Sequence, residues 1–119
     1  MNAHELEERL IAFSTLIIEL TDKLPFSKVG QNLTNQLVRS GTSVTLNYGE
    51  AQGSESMKDF IHKLRIVLKE LRETFAGLKL IDKIGLISDT KMLAKVMDEN
   101  NELIAIFVSS IKTASSKLK

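Results

Sequence analysis

The stretch SMKDFIHKLRIVLKELRETFAGLKLIDKIG, residues 56–85, decides the fold. Phe60, Leu64, Val67, Leu71, Phe75, Leu78 and Ile81 recur in it at steps of three and four, the period of one face of an α-helix. Ser56 stands where an N-cap belongs, Asp59 follows three residues on in the place of a capping-box acid, and Gly85 supplies a stop. The helix so bounded has about 28 residues and a length of roughly 40 Å at 1.5 Å per residue. An amphipathic element this long needs partners of similar length to cover its apolar face.

Those partners lie on both sides. Upstream, Leu6, Leu10, Phe13, Ile17, Leu20 and Leu24 form one stripe that ends at Pro25, since proline disfavours helical geometry in the residue before it. Ser27 then offers a cap to a second helix that carries Leu33, Leu37, Val44 and Tyr48 and stops at Gly53. Ser40, Gly41, Thr42, Ser43, Thr45 and Gly49 crowd its middle; glycine costs about 1 kcal/mol relative to alanine there, and close approach to a neighbouring helix is the simplest compensation. Downstream, Ser88-Asp89-Thr90 caps a fourth helix with Leu93, Met97, Ile104, Phe107, Ile111, Ala114 and Leu118 on its stripe. Asn100 interrupts that series, where a polar residue either fixes register or faces water. Four long helices joined by short loops predict an all-α, antiparallel up-and-down four-helix bundle, with residues 1–119 as one domain.

Composition agrees. In 119 residues, 43% are hydrophobic but only five are Phe, one is Tyr and none is Trp, so the core is aliphatic. Sixteen Lys and Arg against 15 Asp and Glu leave a formal charge of +1, which excludes a whole-molecule field steering the chain to nucleic acid or an anionic membrane. With no cysteine, disulfides, thiolate catalysis and Cys-based metal sites are excluded. The opening MNAHELEERL is acidic where a signal peptide is basic and then apolar, and no apolar run approaches the roughly 18 residues of a membrane span. A cytoplasmic protein without membrane contact is expected.

Candidate chemistry is sparse. Asp59 and His62 have the three-residue spacing of a helical carboxylate–imidazole metal pair, but the only other histidine is His4, and the second half of a di-metal site is missing. No nucleophile elbow and no phosphate-binding glycine loop occurs. Asn32-Leu33-Thr34 matches a glycosylation sequon but falls inside a helix. No cofactor is expected, and no enzyme.

Two polar patterns remain. Lys58, Arg65, Lys69, Arg72, Lys79 and Lys83 share one face of the third helix and could grip phosphates along a backbone, although Glu55, Glu70, Glu73 and Asp82 dilute them and no exposed aromatic is available for base stacking. The bland reading is a solvated face. Arg39, Asn47 and Glu50 on the second helix, with Glu70 and Glu73 on the third, either form salt-bridged contacts between helices or subunits or are scattered surface charge.

Residues 36–60, QLVRSGTSVTLNYGEAQGSESMKDF, resemble the bacterial four-helix-bundle proteins encoded in intervening sequences of large-subunit ribosomal RNA genes. Arg39, Ser40, Ser43, Asn47, Glu50, Gly53, Ser56, Asp59 and Phe60 match the family pattern, and Lys69-Glu70, Glu73-Thr74, Leu78, Leu80 and Glu102-Leu103 extend the likeness over nearly the whole chain. Ala51, Ser54 and Gly77 depart from it, weakening the basic character. The resemblance implies a bundle without known enzymatic activity that assembles into ring-like homo-oligomers, pentamers especially, with Arg39, Ser43, Asn47, Glu50, Glu70 and Glu73 as structural or subunit contacts. One relative, the accessory protein of diversity-generating retroelements, partners a reverse transcriptase and binds nucleic acid. An oligomeric interaction scaffold is therefore the first functional expectation, and an RNA- or DNA-binding accessory protein the second.

Overall fold

The computed structural model describes residues 1–118. It contains four α-helices and, among the described residues, no strand: α1 (Ala3–Thr21), α2 (Lys28–Gln52), α3 (Met57–Ile84) and α4 (Thr90–Ser116). Each begins at a side chain that accepts a main-chain N–H three residues on: Asn2 from Glu5, Ser27 from Gly30, Ser56 from Asp59 and Asp89 from Met92. At Ser56 the donor is the Asp59 amide, the half of the capping box that the Ser supplies. Gly85 closes α3 in the left-handed conformation (φ 78°), its N–H bonded to the Ile81 carbonyl. α1 ends at Thr21, four residues before Pro25, so Leu24 packs on the core from a turn.

The chain runs up and down, and successive helices pack antiparallel. α4 returns beside α1, the least intimate of the four pairings. The result measures 49 × 22 × 21 Å, and its radius of gyration of 15.0 Å exceeds the value of about 13.5 Å for a compact domain of this length. An elongated rod keeps much of each helix at the surface.

The core is the predicted set with a shift of face on α4. Leu6, Leu10, Phe13, Ile17 and Leu20 meet Leu33, Leu37, Val44 and Tyr48, and below them Leu64, Val67, Leu71, Leu78 and Ile81. On α4 the buried residues are Leu93, Val96, Asn100, Leu103, Phe107 and Ala114; Met97, Ile104 and Ile111 are half-buried and Leu118 is exposed. A step of three from Leu93 rather than four explains the difference, and it carries Asn100 into the interior. On α3, Phe60 and Phe75 lie at the edge while Ile61 and Thr74 are buried. Phe107 meets Tyr48 edge to face at 5.7 Å.

Each seam carries a polar cross-link. Ser14 Oγ donates to the Gly41 carbonyl at 2.7 Å and therefore accepts from Thr45 Oγ1 at 2.7 Å, joining α1 to α2. Thr74 Oγ1 donates to the Glu70 carbonyl, so Ser40 donates to Thr74 at 2.8 Å and joins α2 to α3. Asn100 Nδ2 donates to the Leu71 carbonyl between α4 and α3. Arg9 engages Glu99 through two parallel bonds of 2.8 and 2.7 Å and Glu102 at 3.0 Å, joining α1 to α4.

Candidate interaction surfaces

The first polar pattern lies along the outward seam of α2 and α3. Arg39, Ser43, Asn47 and Glu50 rise at steps of four, four and three, and antiparallel pairing sets them against the row Glu73, Glu70, Ile66 and Lys63. Arg39 contacts both Glu73 and Glu70, the latter at 3.2 Å. Glu70 is the more enclosed acid, because the neighbouring Ser40–Thr74 pair draws the two helices together at that level. Asn47 donates to the Ser43 carbonyl and hydroxyl at 3.0 and 2.8 Å, so this pair stays within α2. Glu50 meets Lys63 at 3.3 Å rather than Glu70 or Glu73. The six predicted contact residues thus lie in two facing rows, one on α2 and one on α3, with three separate local contacts, the third of them made by Lys63. Lys63 has no prominence in the sequence, since only the antiparallel register reveals that it faces Glu50.

Apolar side chains stand in and beside these rows. Leu46 is 67% exposed, Leu80 is 52% exposed, and Val29 and Ile84 are also open to solvent. Val29 precedes Arg39 by ten residues on α2, while Leu80 and Ile84 continue the α3 row at steps of seven and eleven beyond Glu73. Aliphatic groups flanking an ion-pair cluster make an amphipathic surface of the kind that subunits cover.

The second pattern is equally well ordered. Lys58, Arg65, Lys69, Arg72, Lys79 and Lys83 are all exposed, within about 80° of the α3 circumference at 3.6 residues per turn. None of the six forms an ion pair among the described residues, whereas Arg9, Lys23, Arg39 and Lys63 all do. Lys79 lies over the half-buried ring of Phe75, 5.2 Å from its centre. Glu70 and Glu73, expected to dilute the stripe, are turned toward Arg39 instead. The expectation that no aromatic is exposed is corrected by Phe26, 94% exposed in the α1–α2 turn. It escapes helical periodicity because it sits in a turn.

Asp59 and His62 are both exposed, and among the described residues no cluster of three His, Asp or Glu side chains is placed to hold a metal ion. Arg9 and Tyr48 are held away from their ordinary pKa values. The paired oxygens of Glu99 raise the pKa of Arg9 against the opposing effect of burial, and burial raises that of the Tyr48 phenol, with the Gln52 side chain acting the other way. Neither resembles a catalytic base poised near neutrality. No helix among the described residues is long and apolar enough to cross a membrane.

The sequence model of the 23S rRNA-intervening sequence proteins matches residues 4–109, which take in all of α2 and α3 and most of α1 and α4. The chain belongs to this family. The fold is also similar to that of a solved protein of unknown function from the S23 ribosomal protein family of Bacteroides thetaiotaomicron, which superposes with a TM-score of 0.81 at 30% identity, covering 94% of this chain and 99% of that one. A comparison with curated proteins found no match. The family match thus spans most of the bundle, while the function of the family is not established.

Proposed function

We propose that the chain is a non-enzymatic interaction scaffold that self-associates through the outward face of α2 and α3. The observation that carries this reading is the exposure of Val29, Leu46, Leu80 and Ile84 around the Arg39–Glu70–Glu73 cluster. A bundle that has buried its own core gains nothing by presenting four large aliphatic groups to water on one face, and a second copy removes that surface at roughly 25 cal/mol per Å². The formal charge of +1 lets copies approach without strong repulsion. The family resemblance favours a cyclic assembly, pentameric in particular.

Light scattering on the wild type and on Leu46→Glu and Leu80→Glu variants tests the reading. A multimer that the variants convert to monomers of unchanged helicity supports it. A wild-type monomer at all concentrations, or variants with undiminished mass, defeats it.

A second reading has its own support: six cations on one face of α3 without acidic partners among the described residues are suited to a polynucleotide backbone. In this reading the protein is an accessory that holds RNA or DNA, for a reverse transcriptase or another enzyme acting on it, and ring assembly multiplies the stripe by avidity. Binding to structured RNA should weaken steeply with salt; a flat titration at low salt removes the reading and leaves the scaffold intact.

A further inference from the structure

The open end of the α3–α4 pair holds a notch of about 310 Å³ lined by Lys58, Ile61, His62 and Arg65 from α3 and by Ser115 and Leu118 from α4. The four α3 residues fall at i, i+3, i+4 and i+7, which stacks them on one side of the first two turns. Lys58 and Arg65 are cationic, His62 stands between them, and among the described residues no carboxylate lines the notch. Ile61 supplies a buried apolar wall and Leu118 an exposed one. Ser115 contributes an enclosed hydroxyl with no hydrogen-bond partner among the described residues, although most buried hydroxyls find one.

We infer that this notch is a binding site for a single phosphate ester carrying a flat, apolar group, with a nucleoside monophosphate as the simplest member of the class. Lys58 and Arg65 hold the phosphate oxygens, Arg65 through its planar fork, and the N-terminal end of α3 adds favourable potential beside Lys58. His62 closes the third side. A one-rotamer turn of Ser115 gives its hydroxyl an acceptor oxygen, while the base or other flat group lies between Ile61 and Leu118. The volume lies at the small end of the range for ligand pockets, about 300–1,000 Å³, so it suits one nucleotide rather than a folded polymer.

The site shares Lys58 and Arg65 with the cationic stripe but needs neither polynucleotide binding nor self-association. Its ligand has two sources: a free nucleotide, or the phosphorylated end of a strand.

The test titrates the intact protein, by calorimetry and amide chemical-shift mapping, with adenosine monophosphate, adenosine, inorganic phosphate, and one short oligonucleotide bearing either a 5′-phosphate or a 5′-hydroxyl. The monophosphate should saturate at least about tenfold more tightly than adenosine or phosphate alone, moving amides around residues 58–65 and 115. Arg65→Gln and Lys58→Gln should each weaken it by about tenfold with helicity unchanged, because both side chains are exposed; Lys95→Gln, on α4 outside the notch, should not. Displacement of the nucleotide by the 5′-phosphorylated strand, but not by its 5′-hydroxyl twin, identifies a strand end as the source; failure of both strands to displace it identifies a free nucleotide. Absence of saturation, shifts mapped elsewhere, or full binding by Arg65→Gln overturns the site. A stripe that binds RNA while the notch ignores the monophosphate separates this failure from any failure of the nucleic-acid reading.

Discussion

The Asn100 amide on α4, wholly buried, donates to the Leu71 carbonyl of α3 at 3.0 Å, while its own carbonyl oxygen has no partner among the described residues. A half-satisfied amide in an aliphatic core is a poor source of stability and a good determinant of register, because sliding α4 by one turn would bury the whole side chain unpaired. Asn100→Leu should therefore hold or raise the melting temperature, since removing both the orphaned acceptor and the donor exchanges a polar defect for packing. Asn100→Asp should lower stability by several kcal/mol, as a charge placed in an aliphatic core loses its hydration. Thermal denaturation of the pair decides: a loss above about 2 kcal/mol in the leucine variant would mean that the single hydrogen bond outweighs the orphan.

The glycines of α2 behave in opposite ways. A Cβ at Gly41 would sit 2.7 Å from Cγ2 of Ile17, a fully buried residue that cannot retreat, and one at Gly49 would meet nothing within 4 Å. Gly41→Ala should cost about 1–3 kcal/mol through overpacking of α1 against α2, despite the better helix propensity of alanine. Gly49→Ala should instead gain about 0.5–1 kcal/mol. Equal effects in a denaturant titration would refute the division. Gly30→Ala should be the most damaging of the three, because its Cβ would overlap the Pro25 carbonyl oxygen.

That contrast shows what the sequence makes legible. Periodicity and caps located all four helices, since Ser27, Ser56 and Asp89 act through bonds three residues long. The crowding of small residues in α2 correctly announced close approach, but only register tells Gly41 from Gly49. The same limit applies to the surfaces. Helical spacing alone put six cations on one face of α3, whereas the Glu50–Lys63 contact spans two helices and follows from antiparallel register. The Ser14–Thr45 and Ser40–Thr74 pairs were hidden for the same reason, and the notch needs Ser115 and Leu118 from the far end of the chain.

Arg9 adds a polar clasp where α1 meets α4. Its two parallel bonds to Glu99, which is only 22% exposed, join the least intimate pair of helices, so the geometry matters more than the charge. Arg9→Lys keeps the charge and loses the fork; it should destabilise the bundle by about 1 kcal/mol and speed hydrogen exchange selectively in the early turns of α1. The Arg39 pair is more exposed, and Arg39→Ala should change monomer stability by about 0–1 kcal/mol, its larger effect falling on assembly. A lysine variant with unchanged stability and exchange would make the Arg9 bridge incidental.

Tyr48 gives the fold an alkaline limit. Burial against Phe107 raises its pKa above the ordinary value of about 10, so the native protein keeps a proton that the unfolded chain has released. The contribution of the neutral phenol to stability is then complete below about pH 10 and is lost as pH climbs through the higher native pKa. Tyr48 is the only tyrosine and there is no tryptophan, so phenolate absorbance reports this residue alone. The native absorbance midpoint should lie above that of the urea-unfolded chain, and Tyr48→Phe should flatten the fall of melting temperature with rising pH relative to the wild type, lysine titration being common to both. Coincident midpoints, or identical stability profiles in the two proteins, would show that Tyr48 reaches water in the native state and that its ring is not part of the sealed core.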